Sequence, residues 1–400
     1  MISLSCCYCN RIFDSADHPY VCPDHPGHGN LDVIIPKPNE PICDRPGMFR
    51  YLPMMPLNQE AIIPSVTVGD TPLVNASRLA IQLSLSNLYF KDDGRNPTGS
   101  LKDRASAFVC SKALSQNIST IATASTGNAG AALAGIGASC GVDTIIYVPA
   151  SAPIGKLAQS MAFGSKVITV DGTYDDAFKL CDQACKQHGY YNRNTGFNPY
   201  TVEGKKTVSF EIAEQLGGGL GSGAFQVPDW VAVSVGDGNI IAGVFKGFKD
   251  LFDFGLIDRM PRLLAVQAAG SPFVYECVKN NEDPATKEPV KVSTIADSVA
   301  AGVPADKIRA VRAVKQTSGD VVLVPEEKIL TAITDVAAKV GVFAEPAAAL
   351  SYAGLEIALE QGIVKKGSSV VVLITGNGLK DIKTVIKATG DLPSPIPPLS

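Results

Sequence analysis

From about residue 60 onward, short apolar runs alternate with segments whose apolar residues recur every three or four positions. The runs predict strands at 119–123, 144–148, 166–170, 230–235, 263–268 and 370–374. The periodic segments predict helices at 129–138, 155–163 and 175–188. Strand following helix in this way points to an α/β fold with open, mostly parallel sheets covered by helices. The glycine run at 217–223 precedes a strand, whereas a phosphate-binding turn follows one, so it reads as a connection. The proline-rich 391–400 reads as an extended surface tail.

The first 48 residues break the pattern. They hold three of the four histidines and five of the ten cysteines. Cys6-x2-Cys9 and Cys22-x2-His25 have the spacing of two paired-ligand turns for zinc, twelve residues apart. Two readings stand: a zinc site on Cys6, Cys9, Cys22 and His25, or a packed arm without metal. Cys7 and His28 are spare donors.

Composition narrows the function. Apolar residues make up 46% of the 400, ample for a large core. Lys plus Arg number 35 against 39 Asp plus Glu, so no basic surplus favours nucleic acid. The longest apolar stretches are the length of a buried strand, far short of a membrane span. The opening residues lack the features of a signal or transit peptide, so the cytoplasm is the expected location. The scattered Cys110, Cys140, Cys181, Cys185 and Cys277 read as reduced core thiols. A small polar ligand is the expected partner.

Three turns follow strands and are rich in Gly, Ser, Thr and Asn: 96–104, 125–130 and 236–240. Ligands of open parallel sheets bind at such turns, and the amides opening the next helix attract anions. Lys102 stands in the first turn. A lysine held at a buried turn loses basicity, and its free amine can then attack a carbonyl.

Together the segments PTGSLKDR (97–104), ASTGN (124–128), EGKKT (203–207) and TGNGLK (375–380), with Asn198-Pro199, resemble the fold type II enzymes dependent on pyridoxal phosphate (PLP). Within that superfamily the chain is most similar to the threonine synthase family, from about residue 69 to 381. The resemblance implies two sheet domains with PLP in the cleft. The large domain comprises 49–105 and 206–400, the small one 106–205, and 1–48 is an appended arm. Lys102 matches the lysine that forms the Schiff base with PLP. Asn128 matches the partner of the cofactor's phenolic oxygen. Gly236, Asp237, Gly238, Asn239 and Ile240 match the phosphate loop, and Thr375 the hydroxyl facing the pyridine nitrogen. Ser125, Thr126 and Gly127 match the cradle of a substrate carboxylate. The implied reaction converts O-phospho-L-homoserine and water to L-threonine and phosphate. Homodimers are common in the superfamily.

Two departures stand out. Thr201 occupies the place of an arginine associated with the substrate phosphate, and Lys205 replaces a glutamine. Lys205 or Arg193 would restore the charge without the same fork. Asp237 inside a phosphate loop is expected to turn its side chain outward, or to contact a helix N-terminus, while its amide faces in. Alternatives are a PLP-dependent serine or threonine dehydratase, a replacement enzyme on another activated amino acid, and a zinc-dependent regulatory protein on an inactive scaffold.

Overall fold

Residues 2–15, 20–152 and 154–390 are described by the computed structural model. The 391–400 tail lies outside them.

The N-terminal arm is a small antiparallel sheet in the order β2-β1-β3, made of β1 (Ser3–Cys6), β2 (Ile12–Asp14) and β3 (Leu31–Ile34). Leu4, Cys6, Cys22, Leu31 and Val33 are buried and join the main core, so the arm is packed onto the body.

The next strands, β4 (Leu73–Asn75) and β5 (Asn87–Asp92), belong to a large sheet completed much later in the chain. Between them and its remainder lies a separate, all-parallel sheet in the order β8-β7-β6-β9. Its strands are β6 (Thr120–Ala124), β7 (Asp143–Pro149), β8 (Lys166–Val170) and β9 (Tyr191–Asn192). The large sheet resumes with β10 (Trp230–Ser234), β11 (Arg262–Ala268), β12 (Asp320–Val324) and β13 (Ser369–Ile374). Its order is β12-β11-β10-β13-β5-β4, and only the β4–β5 pair is antiparallel.

Alternation along β10 and β13 decides what covers each face. Val231, Val233, Val371 and Leu373 pack with Ile241, Val244 and Phe248 of the helix Asn239–Asp253. Trp230, Ala232, Val370 and Val372 point the other way, into the helix Pro346–Glu360. Both faces are therefore apolar, as a doubly covered parallel sheet requires. Each fully buried valine contributes about 1.5–3 kcal/mol. Helix Pro346–Glu360 lies close to the sheet because residue 354 is glycine; a Cβ there would sit 2.3 Å from Val266 Cγ1.

The six strands expected from the sequence match β6, β7, β8, β10, β11 and β13 to within one residue at each end. Among the described residues no helix is long and apolar enough to cross a membrane.

Candidate active site

The carboxyl ends of β13, β5 and β10 converge on the turn that follows β6. Residues 96–101 loop from β5 into the helix Lys102–Leu114, and their geometry is set by the two residues after the lysine. Asp103 accepts from the Thr98 amide at 2.7 Å and from the Thr98 hydroxyl, closing the turn. Burial pushes its carboxyl up to about 7, against those hydrogen bonds. Arg104 ties the helix to the body, with Nε 2.6 Å from Asp93 Oδ2 and Nη1 2.6 Å from Glu211 Oε1. Lys91 Nζ lies 2.7 Å from Glu211 Oε2. All four of these charged side chains are buried. Burial alone would raise the Glu211 carboxyl, but Arg104 and Lys91 outweigh it and hold it well below the usual range.

Lys102 is thereby fixed beside the end of β13. The Leu101 amide donates to the Thr375 carbonyl at 2.9 Å, and Ser100 bridges to Gly376. Lys102 is half-buried. Burial lowers its pKa, opposed by Glu345 and Asp237 and assisted by Arg193.

A narrow cavity of ≈ 40 Å³ brings Lys102, Lys205, Gly236, Asp237, Gly238, Asn239, Ile240 and Thr375 together. Its floor is the 236–238 turn, which opens the helix Asn239–Asp253. Gly238 has φ +82°, and a Cβ on Gly236 would meet the Val299 backbone at 2.5 Å. Only glycine lets this turn close so tightly at a helix N-terminus, where free amides attract an anion. The turn thus fits the phosphate of PLP, with Lys102 in the same cavity for its carbonyl. A wider cavity of ≈ 270 Å³ adjoins it, lined by Thr126, Gly127, Asn128, Gln159 and Lys380. Ser298, Glu345 and Ala347 line both. The Ser125 hydroxyl accepts from the Gly127 amide at 3.3 Å, shaping that turn.

Asp237 is exposed and borders the narrow cavity, and its charge interacts with Lys102 and Lys205. Lys205 is fully buried and donates to Asn239 Oδ1; burial, then Lys102 and Arg193, push its pKa well down. Thr201 is buried, and its hydroxyl donates to the Asn198 carbonyl at 2.8 Å, so it is spent on its own turn. Arg193 is buried behind the cavity, bonded to Ser106 Oγ at 3.3 Å and Thr195 Oγ1 at 2.6 Å. Its Nη2 has no partner among the described residues. Burial lowers the guanidinium to about 10, still charged at neutral pH.

Glu345 was not foreseen. Its only local signal is a lone acid in an apolar run before Pro346. In the arm, Cys6, Cys9 and Cys22 come together with ligand atoms within 4.8 Å of one another. His25 does not join them: its ring packs edge-on against Tyr8 and lies over His28.

The family profile described as pyridoxal-phosphate dependent enzyme matches residues 65–376. The chain belongs to that family. Threonine synthase of Methanosarcina acetivorans is 35% identical over 393 residues, covering 96% of this chain and 94% of the relative. Threonine synthase of Mycobacterium bovis is 36% identical, covering 88% and 93%. Among solved structures, threonine deaminase isoform 2 of Solanum lycopersicum superposes with TM-score 0.67 at 24% identity, covering 89% of this chain and 98% of that one. A PLP-dependent aspartate racemase superposes with TM-score 0.64 at 22% identity, covering 78% and 92%. These last two likenesses speak to the fold alone.

Proposed function

We propose that this protein is a threonine synthase, converting O-phospho-L-homoserine and water to L-threonine and inorganic phosphate. The observation that carries the reading is a pair of buried basic groups without a bonded counter-charge: Arg193 keeps its charge, while burial, Lys102 and Arg193 push the Lys205 ammonium well down until an anion beside it restores it. Lys205 and Arg193 are buried without a carboxylate partner in bonding distance among the described residues, and Arg193 Nη2 lacks any acceptor. Buried cations need counter-charge. One phosphate, on the 236–238 turn, belongs to the cofactor. The remaining positive charge suits a second phosphate, carried by the substrate. Full-length likeness to threonine synthases selects which phosphorylated amino acid that is.

Lys102, Asn128, the 236–240 turn and Thr375 would hold PLP. When bound, PLP supplies the electron withdrawal that acidifies the substrate's Cα and neighbouring carbons. The chain's residues do the rest. The turn at 125–127 binds the substrate carboxylate through amides at a helix start. Lys102, its pKa lowered, takes the Cα proton as general base and returns protons along the substrate. Arg193 and Lys205 orient and stabilise the leaving phosphate. Water adds at Cβ. Thr375 would offer the pyridine nitrogen a hydroxyl and no carboxylate, which would keep the cofactor a moderate electron sink.

A second reading, replacement or dehydration at a shorter activated amino acid such as a serine derivative, is favoured by Thr201, which withholds its hydroxyl from the site. Product analysis separates the two. PLP-loaded protein given O-phospho-L-homoserine should release threonine and phosphate in equal amounts. Neither product, from protein with its lysine-bound cofactor absorbance intact, would move the assignment to the second reading.

A further inference from the structure

We propose that the thiolates of Cys6, Cys9 and Cys22 bind a zinc-class divalent ion, and that this ion staples the N-terminal arm against the turn that cradles the cofactor phosphate. The three sulfurs are reduced and come from two different loops. Cys9 Sγ lies 3.9 Å from Cys22 Sγ. A tetrahedral zinc with Zn–S bonds of about 2.3 Å sets its sulfurs about 3.8 Å apart. The Cys9 amide approaches Cys6 Sγ at 3.5 Å, the backbone-to-sulfur contact a paired-ligand turn makes. On the other side, Cys22 is held by a compact turn. Its amide donates to the Gly29 carbonyl at 2.8 Å, and a Cβ on Gly29 would sit 2.6 Å from Cys22 Cβ. No imidazole joins the three sulfurs among the described residues, so the fourth position falls to water. Cys7 is not a ligand: its thiol faces the His28 carbonyl at 3.7 Å.

The consequence lies one strand away. Cys6 pairs with Leu31 across the arm's sheet. The Leu31 carbonyl accepts from Arg309 Nη1 at 3.0 Å, and Asp32 lies 2.7 Å from Arg312 Nη2. Arg309 is fully engaged with Asp306, Nε to Oδ1 at 2.7 Å. Asp306 in turn donates its amide to the Asp237 carbonyl at 2.8 Å and accepts from Asn239 Nδ2. Asn30, next to β3, donates to the Gly196 carbonyl at 2.5 Å, two residues before Asn198. The arm therefore touches both sides of the cleft, and the thiol cluster joins the β1–β2 turn to the loop that leads into β3. Leu31 and Asp32 of the arm thus act on the phosphate turn through Arg309 and Asp306 as positioning residues.

The test uses the full chain and needs no substrate, so its failure is separate from failure of the threonine synthase reading. Elemental analysis of protein purified without chelator is expected to find one zinc per chain. Exchange for Co(II) is expected to give thiolate-to-cobalt absorbance in the near ultraviolet and tetrahedral bands in the visible. The Cys9→Ser variant, altered at an exposed side chain, should lose both. Trace metal with no cobalt spectrum from the wild-type chain would overturn the site. For the strap, metal removal and Asp32→Asn should each weaken PLP binding about 5-fold or more. Unchanged PLP affinity in the metal-free protein would overturn the strap.

Discussion

The Asn128 side-chain amide donates to both carboxylate oxygens of Glu345, at 2.9 and 3.1 Å, across the cleft between the two sheets. Asn128 opens the helix after β6, and Glu345 precedes the helix that covers β10 and β13. A buried acid thus sits where the two cavities meet and holds the residue expected to face the cofactor's phenolic oxygen. Burial raises the Glu345 pKa, opposed by Asn128 and Lys102, and its charge in turn raises that of Lys102.

Replacing Glu345 by Gln removes an anion that favours the Lys102 ammonium. The free amine is then present at lower pH. The pH profile for capture of PLP by the cofactor-free variant should shift toward acid relative to wild type. A profile that stays in place would separate Glu345 from Lys102 electrostatically.

Lys102→Ala should abolish turnover and the visible absorbance of the lysine-bound cofactor, with an unchanged far-ultraviolet circular dichroism spectrum. General acid–base catalysis alone is worth roughly 10²–10⁴-fold. Turnover within tenfold of wild type would remove Lys102 from the chemistry.

Arg193→Lys keeps the charge and loses the planar fork. Hydrogen bonds to charged groups contribute about 1.5–3 kcal/mol, so KM for the phosphorylated substrate should rise about 10- to 100-fold. Inhibition by unphosphorylated homoserine should barely change. An equal effect on both ligands would indicate a structural role only.

Glu211 predicts the pH dependence of stability. Its folded pKa is depressed by Arg104 and Lys91, so its contribution is complete above the ordinary glutamate pKa and fades as pH falls toward the folded value. Glu211→Gln leaves two buried cations without that partner and should cost about 3–5 kcal/mol at pH 7. The penalty should shrink in acid. Denaturant melts at pH 7 and pH 4 measure both; a loss independent of pH would point to packing alone.

Lys102 illustrates how far local reading reaches. Its turn, its helix and its neighbours Asp103 and Arg104 are contiguous, so the spacing signalled a special lysine. The reason Asp103 and Arg104 follow it is not contiguous. Arg104 finds Glu211 across 107 positions, which no local pattern encodes. Asp237 likewise interacts with Lys102 and Lys205, which only the fold brings near it.

The strands and the sheet class were determined by the sequence itself, because burial on both faces of a parallel sheet demands continuous apolar runs, and these are visible residue by residue. The glycine turns were equally legible, since a positive φ at Gly238 and the close approach of the Val299 backbone to Gly236 leave no room for a Cβ. Tertiary structure alone decided that Glu345 meets Asn128 from 217 positions away, and, among the described residues, that Arg193 Nη2 has no hydrogen-bond partner and that His25 stands apart from the three thiols. Those are long-range electrostatic and packing relations. They depend on which charges and rings are desolvated together, and that is settled only when the sheets and the arm close on one another.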